Sequence, residues 1–258
     1  MTRLERWYAE HGRHELPWRA TTDPWAILVS EVMLHQTQVP RVLDAWPAFI
    51  GRFPDAPTMA AAEPGDVIAA WGRLGYPRRA RWLWEAAVRI ARDGWPEDAR
   101  ELPGVGRYTA AALAAQAFDV DEIGIEVNIR RVCERFVGTS LREPDAEITA
   151  RRIATPLRGR ERLLALMDIG ATVCTARDPD CARCPLRRRC ATRGVLVEET
   201  KHRQSPYEGS FRQRRGVVLA KLRSSPTRVV DLDAEALASL VADGLAEVRG
   251  QRAQLATA

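Results

Sequence analysis

Apolar residues recur with helical spacing through most of the first 200 residues of the chain. Candidate helices cover residues 25–34, 41–49, 64–71, 78–93, 109–117, 128–137 and 148–174. No run before residue 205 alternates in the manner of a half-buried strand. The pattern therefore predicts an all-α architecture for this part of the chain.

The C-terminal part of the sequence follows a different pattern. Residues 201–210 are polar and rich in turn formers, which predicts a linker. Helix-like segments and two short alternating runs around Gly250 come next, at 211–223, 233–243, 246–249 and 253–256. We expect a main domain over residues 1–200 and a small winged-helix-like module over 211–258. Such a module either packs against the main domain as a stabilising appendage or contacts DNA.

Composition is compatible with a polyanionic partner. The formal net charge is +5 and the isoelectric point is about 9.2. The basic residues are nearly all arginine, with clusters at 78–81, 130–131 and 187–189. No apolar run approaches the about 18–20 residues that cross a bilayer, so we expect a soluble, cytoplasmic protein with no membrane partner.

Four cysteines in one short window form the strongest chemical signal. Cys174, Cys181, Cys184 and Cys190 are spaced as C-x6-C-x2-C-x5-C, which predicts a metal site. Four thiolates suit a structural zinc or a [4Fe-4S] cluster, and the spacing alone leaves both open. A disulfide framework is the remaining alternative, and no apolar secretory segment at the N-terminus supports it.

A glycine-rich turn precedes a helix of small residues at 102–109. Gly104 and Gly106 allow backbone amides to approach a phosphate closely, and the N-terminus of the next helix favours an anion. Such a turn binds the DNA backbone without sequence selection. The alternative interpretation is a tight turn between packed helices.

This helix-hairpin-helix motif followed by four cysteines resembles the endonuclease III and adenine DNA glycosylase (MutY) superfamily. The likeness to the MutY branch runs from about residue 4 to residue 195, and the tail resembles that of short actinobacterial members. It implies a two-lobed, all-α, monomeric DNA glycosylase with a [4Fe-4S] cluster in the loop 174–190. It also implies Arg107 and Arg78 as DNA-binding residues.

Glycosidic bond cleavage requires a proton donor for the leaving base and a carboxylate for the oxocarbenium-like sugar. The segment 30–39 resembles the MutY segment that carries the acid, which assigns this role to Glu31. In so apolar a helix, a buried carboxylate would have a raised pKa. Glu126 occupies the position of the family's catalytic aspartate, two residues before Asn128, and Val127 replaces a small or polar residue. The two carboxylates are expected to face one pocket.

Further roles follow from the same resemblance. Tyr108 stands where endonuclease III has a Schiff-base lysine, which implies a monofunctional enzyme without strong β-lyase activity. Gln36 and Tyr76 match the residues that fill the gap left by a flipped base. Trp18 and Arg19 match a motif at the base pocket.

The sequence therefore predicts a base excision repair enzyme that acts on double-stranded DNA with a mismatched or damaged base. Adenine opposite 8-oxoguanine or guanine is the expected target. Two alternatives stay open, namely a thymine or uracil glycosylase for G·T and G·U mismatches and a catalytically impaired DNA-binding relative. The second alternative depends on the departures at Glu126 and Val127.

Overall fold

The computed structural model describes residues 1–196 and 206–257, and these fold mainly into helices. The helices are α1 (Arg3–His11), α2 (Pro24–Leu34), α3 (Val39–Arg52), α4 (Ala56–Ala60), α5 (Pro64–Trp71), α6 (Arg78–Asp93), α7 (Arg107–Phe118), α8 (Val127–Val137), α9 (Glu143–Ala154), α10 (Gly159–Asp168), α11 (Phe211–Ser224) and α12 (Ala234–Ala242). A π-helical turn, Ile169–Val173, extends α10. The strands are β1 (Thr227–Arg228), β2 (Ala246–Arg249) and β3 (Arg252–Leu255).

The chain divides into two compact units. The first unit comprises Met1–Leu28 and Val105–Lys201. Its core brings the N-terminal helix onto the later helices α7 to α10. Fully or nearly fully buried members of this core include Leu4, Trp7, Ala112, Ile129, Val132, Cys133, Leu163, Leu166 and Ile169. Burial raises the pKa of the Cys133 thiol to about 12, so this cysteine is a neutral core residue.

The second unit comprises Val29–Gly104 and His202–Ala258. Aromatic side chains pack at its centre, where the Phe49 ring lies 5.2 Å from that of Phe53 and 5.8 Å from that of Trp71. The amphipathic helix α6 contributes an apolar face of Ala80, Leu83, Ala86, Ala87 and Ile90. Among the described residues, no helix is long and apolar enough to cross a membrane.

The C-terminal residues of the second unit form two helices and an antiparallel sheet in the order β1-β3-β2. The β2–β3 hairpin pairs Ala246 with Leu255 and Arg249 with Arg252. The Gly65 amide of α5 donates a hydrogen bond to the Ala256 carbonyl at 2.8 Å, and a side chain at Gly65 would collide with that carbonyl. This segment is therefore built into the second unit, beside α5.

Most of the predicted elements are present, and the prediction of an all-α fold is confirmed. Helices α5 and α6 begin and end where the sequence predicts. Both predicted C-terminal helices and the hairpin are found, whereas β1, α1 and α4 lie outside the predicted set. Residues 201–205 of the predicted linker lie outside the described residues, so the division into domains 1–200 and 211–258 stays a prediction.

One helix prediction is wrong. Residues 148–174 do not form a single helix, because α9 ends at Ala154 and α10 begins at Gly159. Pro156 in the break has no amide hydrogen to donate and its ring clashes with a preceding helical turn. Gly159, the first residue of α10, adopts a φ of +44°, a value that does not occur within a continuous right-handed helix.

Candidate active site and DNA interface

The predicted proton donor lies in the most apolar helix of the chain. Glu31 is on α2, within the second unit, and is only 2% exposed. Its helical neighbours Ser30, Val32 and Met33 are buried as well. Removal from water disfavours the charged form of a carboxylate. The candidate proton donor therefore lies away from solvent on an apolar helix.

The second predicted carboxylate, in the first unit, has a polar environment. Glu126 is the N-cap of α8, where its side chain accepts hydrogen bonds from the amides of Asn128 at 2.8 Å and Ile129 at 2.9 Å. The Asn128 side-chain nitrogen donates a third bond at 2.9 Å. Burial raises the pKa of Glu126, and these hydrogen bonds together with the Arg131 charge oppose that rise. A charged group held in this way sits at the positive end of the helix dipole.

Arg131 fixes the start of α8 to the segment that leads into the cysteine window. Its guanidinium donates to the Asn128 side-chain oxygen and the Gly170 carbonyl, both at 2.6 Å, and to the Cys174 carbonyl at 2.7 Å. Gly170 lies directly against Asn128, since an added Cβ would lie 2.6 Å from the Asn128 Cβ. The orientation of Asn128 and Glu126 is therefore set by packing as well as by hydrogen bonds.

Tyr108 is half-buried in the first unit. Its hydroxyl lies 3.8 Å from the Met167 sulfur. Its ring packs on Gly124, where an added Cβ would lie 2.7 Å from the Tyr108 Cδ2. Tyr108, which the resemblance aligns with the Schiff-base lysine of endonuclease III, is thus an aromatic residue packed between neighbouring segments.

The glycines of the predicted hairpin occupy conformations that fit their proposed use. Gly104 has a φ of +75°, and a Cβ there would lie 2.9 Å from the Trp82 Cβ. Gly106 is the N-cap of α7, and no side chain caps this helix end. Arg107, the first residue of α7, forms ion pairs with Glu143 at 3.3 Å and Glu147 at 2.6 Å.

The two predicted plug residues share an uncommon backbone conformation. Gln36 has a φ of +55° and Tyr76 a φ of +47°, and both side chains are exposed. A left-handed conformation costs a residue other than glycine on the order of 1–3 kcal/mol and tends to occur at functional sites. Nearby, Arg78 stacks over Trp82 at 5.1 Å and pairs with Asp243 at 3.6 Å.

The two residues predicted at the base pocket are buried in the first unit. Trp18 is 3% exposed. Arg19 places both terminal nitrogens 2.7 Å from the carboxylate of the fully buried Asp168, which Arg13 also contacts. Burial pushes the pKa of Asp168 upward, but hydrogen bonds and charge from Arg19 and Arg13 outweigh it and hold the pKa below its ordinary value. Arg19 is thus committed to a buried ion pair.

All four cysteines of the window line one cavity, together with Arg135, Arg187 and Arg193. Arg135 on α8 lies 3.5 Å from the Cys174 sulfur, and the Cys190 thiol donates to the Arg135 carbonyl at 3.2 Å. In residues 1–196 and 206–257, no three His, Cys, Asp or Glu side chains converge closely enough to hold a single metal ion. The lining of this cavity thus combines the four cysteines with three arginines and Asp180.

Comparison with known proteins assigns a class to this arrangement. The HhH-GPD superfamily base excision DNA repair protein family matches residues 29–158. The adenine DNA glycosylase of Mycolicibacterium smegmatis is 42% identical over an alignment of 268 positions. The match covers 95% of this chain and 91% of the relative. The thymine-DNA glycosylase of Aeropyrum pernix is 36% identical over 203 residues, which cover 73% of this chain and 91% of the relative.

A solved structure of a thermostable thymine-DNA glycosylase has a TM-score of 0.66 and 26% identity, and the match covers 74% of this chain and 93% of that chain. The family match and the extent of the similarity to an adenine DNA glycosylase identify a DNA glycosylase of base excision repair. The chain belongs to the HhH-GPD superfamily of base excision DNA repair proteins. The likeness to the adenine glycosylase branch that the sequence predicts is confirmed.

Three charged residues of these sites are absent from the sequence prediction of functional residues. The buried or half-buried side chains of Arg79, Arg131 and Asp168 form hydrogen bonds or ion pairs within the protein. A signal for Arg79 does exist, because it precedes Leu83, Ala86 and Ile90 at helical spacing on the apolar face of α6. A charged residue on such a face has to find internal partners.

Proposed function

We propose that this chain is a monofunctional DNA glycosylase that removes adenine mispaired with 8-oxoguanine or guanine. The observation that carries the proposal is the burial of Glu31, the candidate proton donor, which is 2% exposed on the apolar helix α2. The extent of the similarity to an adenine DNA glycosylase, 95% of the chain, supports adenine as the target. We further propose that it acts as a monomer in the bacterial cytoplasm, as expected for a nucleoid repair enzyme.

In this mechanism Glu31 donates a proton to the leaving adenine as the glycosidic bond breaks. Glu126 stays ionised and stabilises the positive charge that develops on the sugar. Asn128 and the α8 amides orient the Glu126 carboxylate through the three hydrogen bonds described above. Tyr108 cannot form a Schiff base, so water completes the reaction and an abasic site is left.

Contacts with DNA are proposed for the hairpin and the plug residues. The hairpin glycines Gly104 and Gly106 expose backbone amides to a phosphate. Gln36 and Tyr76 enter the duplex where the base has left it, since a flipped base must be replaced to limit the cost of unstacking. Arg107 and Arg78 are paired with carboxylates in the free protein, and phosphates would take over from those partners.

We propose that the four cysteines bind a [4Fe-4S] cluster. All four cysteines line one cavity, and the arginines beside them would offset part of the negative charge of four thiolates. Such a cluster would organise the loop and present Arg177, which is exposed, toward phosphates. Anaerobically purified protein should be yellow-brown and contain about four irons per chain, the composition of such a cluster. Stoichiometric zinc without iron would contradict this assignment.

One alternative substrate has an observation in its favour. The Aeropyrum relative is named a thymine-DNA glycosylase and covers 73% of this chain. A thymine or uracil glycosylase for G·T or G·U mismatches is therefore the second candidate. A catalytically impaired DNA-binding protein is the third, because Glu126 is longer by one methylene than the aspartate it replaces.

A panel of defined duplexes tests these candidates. Adenine would be placed opposite 8-oxoguanine, guanine and cytosine, and thymine and uracil opposite guanine, with base release measured under single-turnover conditions. The proposal expects release of adenine from the first two duplexes and a strongly reduced rate of release by the Glu31→Gln variant. Release of thymine or uracil alone would support the second candidate. Tight binding to an abasic-site analogue without any release would support the third.

A further inference from the structure

Arg79 is a buried cation whose partners lie on two separate loops of the second unit. It is 5% exposed. One terminal nitrogen donates to the carbonyls of Val32 at 2.8 Å, Met33 at 2.9 Å and His35 at 2.5 Å. These carbonyls belong to the C-terminal end of α2 and the residues after it, where a cation is favoured by the helix dipole.

The rest of the guanidinium faces the loop before α6. The other terminal nitrogen donates to the Thr37 hydroxyl and the Gly75 carbonyl, both at 2.9 Å. The Arg79 Nε donates to the Tyr76 carbonyl at 3.4 Å. The Thr37 hydroxyl also lies 3.3 Å from the Leu74 carbonyl, so the two loops contact each other beside the arginine.

These two loops carry the residues at positive φ that are predicted to enter DNA. Gln36 lies between His35 and Thr37, which both bind Arg79, and Tyr76 is itself a partner. Two exposed side chains are thus presented from left-handed backbone positions that share one internal clamp. Such conformations persist only where surrounding contacts hold them in place.

We propose that Arg79 is a positioning residue that clamps the 35–37 and 74–76 loops together, so that Gln36 and Tyr76 enter the duplex as one unit when a base is flipped. The inference rests on the proposed function, because it assigns the plug role to these two side chains. Arg79 acts through them and touches neither DNA nor the reacting atoms in this scheme.

The chemistry of the site selects arginine over lysine. The hydrogen bonds of Arg79 use all three nitrogens of its planar guanidinium group, whereas a lysine ammonium offers three donors from a single atom. The guanidinium also lies 5.1 Å from the Trp71 ring centroid and 5.4 Å from that of Tyr76. Burial lowers the pKa of Arg79 to about 10, which leaves it cationic at neutral pH.

Two variants test the clamp against a matched control. Arg79→Lys keeps the positive charge but loses the planar set of donors, and Arg79→Met keeps apolar length without charge. Arg92→Lys on the same helix is the control, because Arg92 is exposed and its guanidinium bonds to the carboxylate of the adjacent Asp93. Thermal unfolding would verify that each variant is folded. If Arg79→Met does not fold, Arg79→Lys alone provides the test.

Three measurements separate a clamp from a general core residue. Amide hydrogen exchange in Arg79→Lys should quicken at 35–37 and 74–76 and stay at the parent rate elsewhere in the second unit. The fluorescence rise of a 2-aminopurine next to the target adenine, which reports unstacking, should shrink. Single-turnover release from a paired duplex should fall at least about tenfold, in line with the rate lost when catalytic geometry is displaced.

A fourth measurement uses a duplex in which mismatched flanking bases have already unstacked the adenine. If Arg79 acts through the plugs, release by Arg79→Lys from this duplex should approach that of the parent. An equal loss on both duplexes, faster exchange throughout the second unit, or parent-like behaviour in all assays would overturn the inference. If the parent releases no adenine but its 2-aminopurine signal rises and depends on Arg79, the proposed function fails and the clamp stands.

Discussion

The two predicted catalytic carboxylates occupy opposite environments. Glu31 lies in the interior of an apolar helix and is almost fully buried. Glu126 caps the start of α8 and accepts three hydrogen bonds from Asn128 and Ile129. Burial disfavours the charged form of a carboxyl group and amide donors at a helix N-terminus favour it, and at Glu126 burial outweighs the donors and raises the pKa. The burial of Glu31 supports its proposed role as proton donor, and the hydrogen bonds to Glu126 support its proposed role as charge stabiliser.

The contrast also explains how a glutamate can stand where the family has an aspartate. The longer Glu126 side chain still accepts hydrogen bonds from the amides of the second and third residues of α8, Asn128 and Ile129. The N-cap role that aspartate commonly fills is therefore retained. The extra methylene therefore leaves the local support of the carboxylate in place.

The largest effect is expected at the proton donor. Glu31→Gln is nearly isosteric but has no proton to give, so adenine release should fall roughly a hundred- to ten-thousandfold. Duplex affinity should stay within a few fold of the parent, since Glu31 is buried within its helix. Single-turnover release and equilibrium binding measure the two quantities. Residual release above about a tenth of the parent rate would exclude Glu31 as the acid, given those magnitudes.

The second carboxylate should respond to charge and only weakly to length. Glu126→Gln removes the charge that balances the oxocarbenium ion, and release should fall about a hundred- to a thousandfold. Glu126→Asp keeps the charge and a preferred capping residue, so it should preserve or raise activity. Single-turnover assays of both variants provide the measurement. Parent-like rates for both would make Glu126 a bystander, and activity gained only in Glu126→Asp would show that the parent is impaired.

How far the sequence could predict this structure is visible at particular residues. Helix α6 is predicted to the residue because its apolar face is regular and Gly94 ends it. The break after Ala154 had a signal in Pro156 and Gly159, but the strong apolar pattern on both sides concealed it. The roles of the carboxylates and cysteines followed from a family resemblance, which periodicity alone does not supply.

The structure adds what a one-dimensional pattern cannot give. In the sequence Arg78, Arg79 and Arg81 form one basic cluster. In the fold Arg78 and Arg79 separate, because Arg78 is exposed beside Trp82 whereas Arg79 is buried among backbone carbonyls. Likewise Arg19, predicted at a base pocket, is found in an ion pair with Asp168. Burial and long-range partners decide these roles, and neither is encoded in local spacing.

A smaller and more selective effect is expected at Gly170. An added Cβ would lie 2.6 Å from the Asn128 Cβ, so Gly170→Ala should displace Asn128 and the Glu126 carboxylate. Overpacking of this kind costs about 1–3 kcal/mol of folding free energy. Thermal unfolding and single-turnover release would measure the loss. Gly51→Ala on α3 is the control, since nothing lies within 4 Å of a Cβ there. Equal behaviour of the two variants would contradict a positioning role for this contact.

The mildest test of the contrast is the pH dependence of adenine release. Glu126 acts as an anion, so release should fall as the pH falls through its pKa. Burial raises that pKa above the ordinary value of 4.5, although hydrogen bonds oppose the rise. The midpoint of the acid limb of the pH–rate profile should therefore lie above pH 4.5. Below that midpoint the rate should approach about a tenfold loss per pH unit. Single-turnover rates across pH would show this acid limb, and the residual activity of Glu126→Gln should lack it. An acid limb that persists unchanged in this variant would assign the titration to another group and remove the contrast between the two carboxylates.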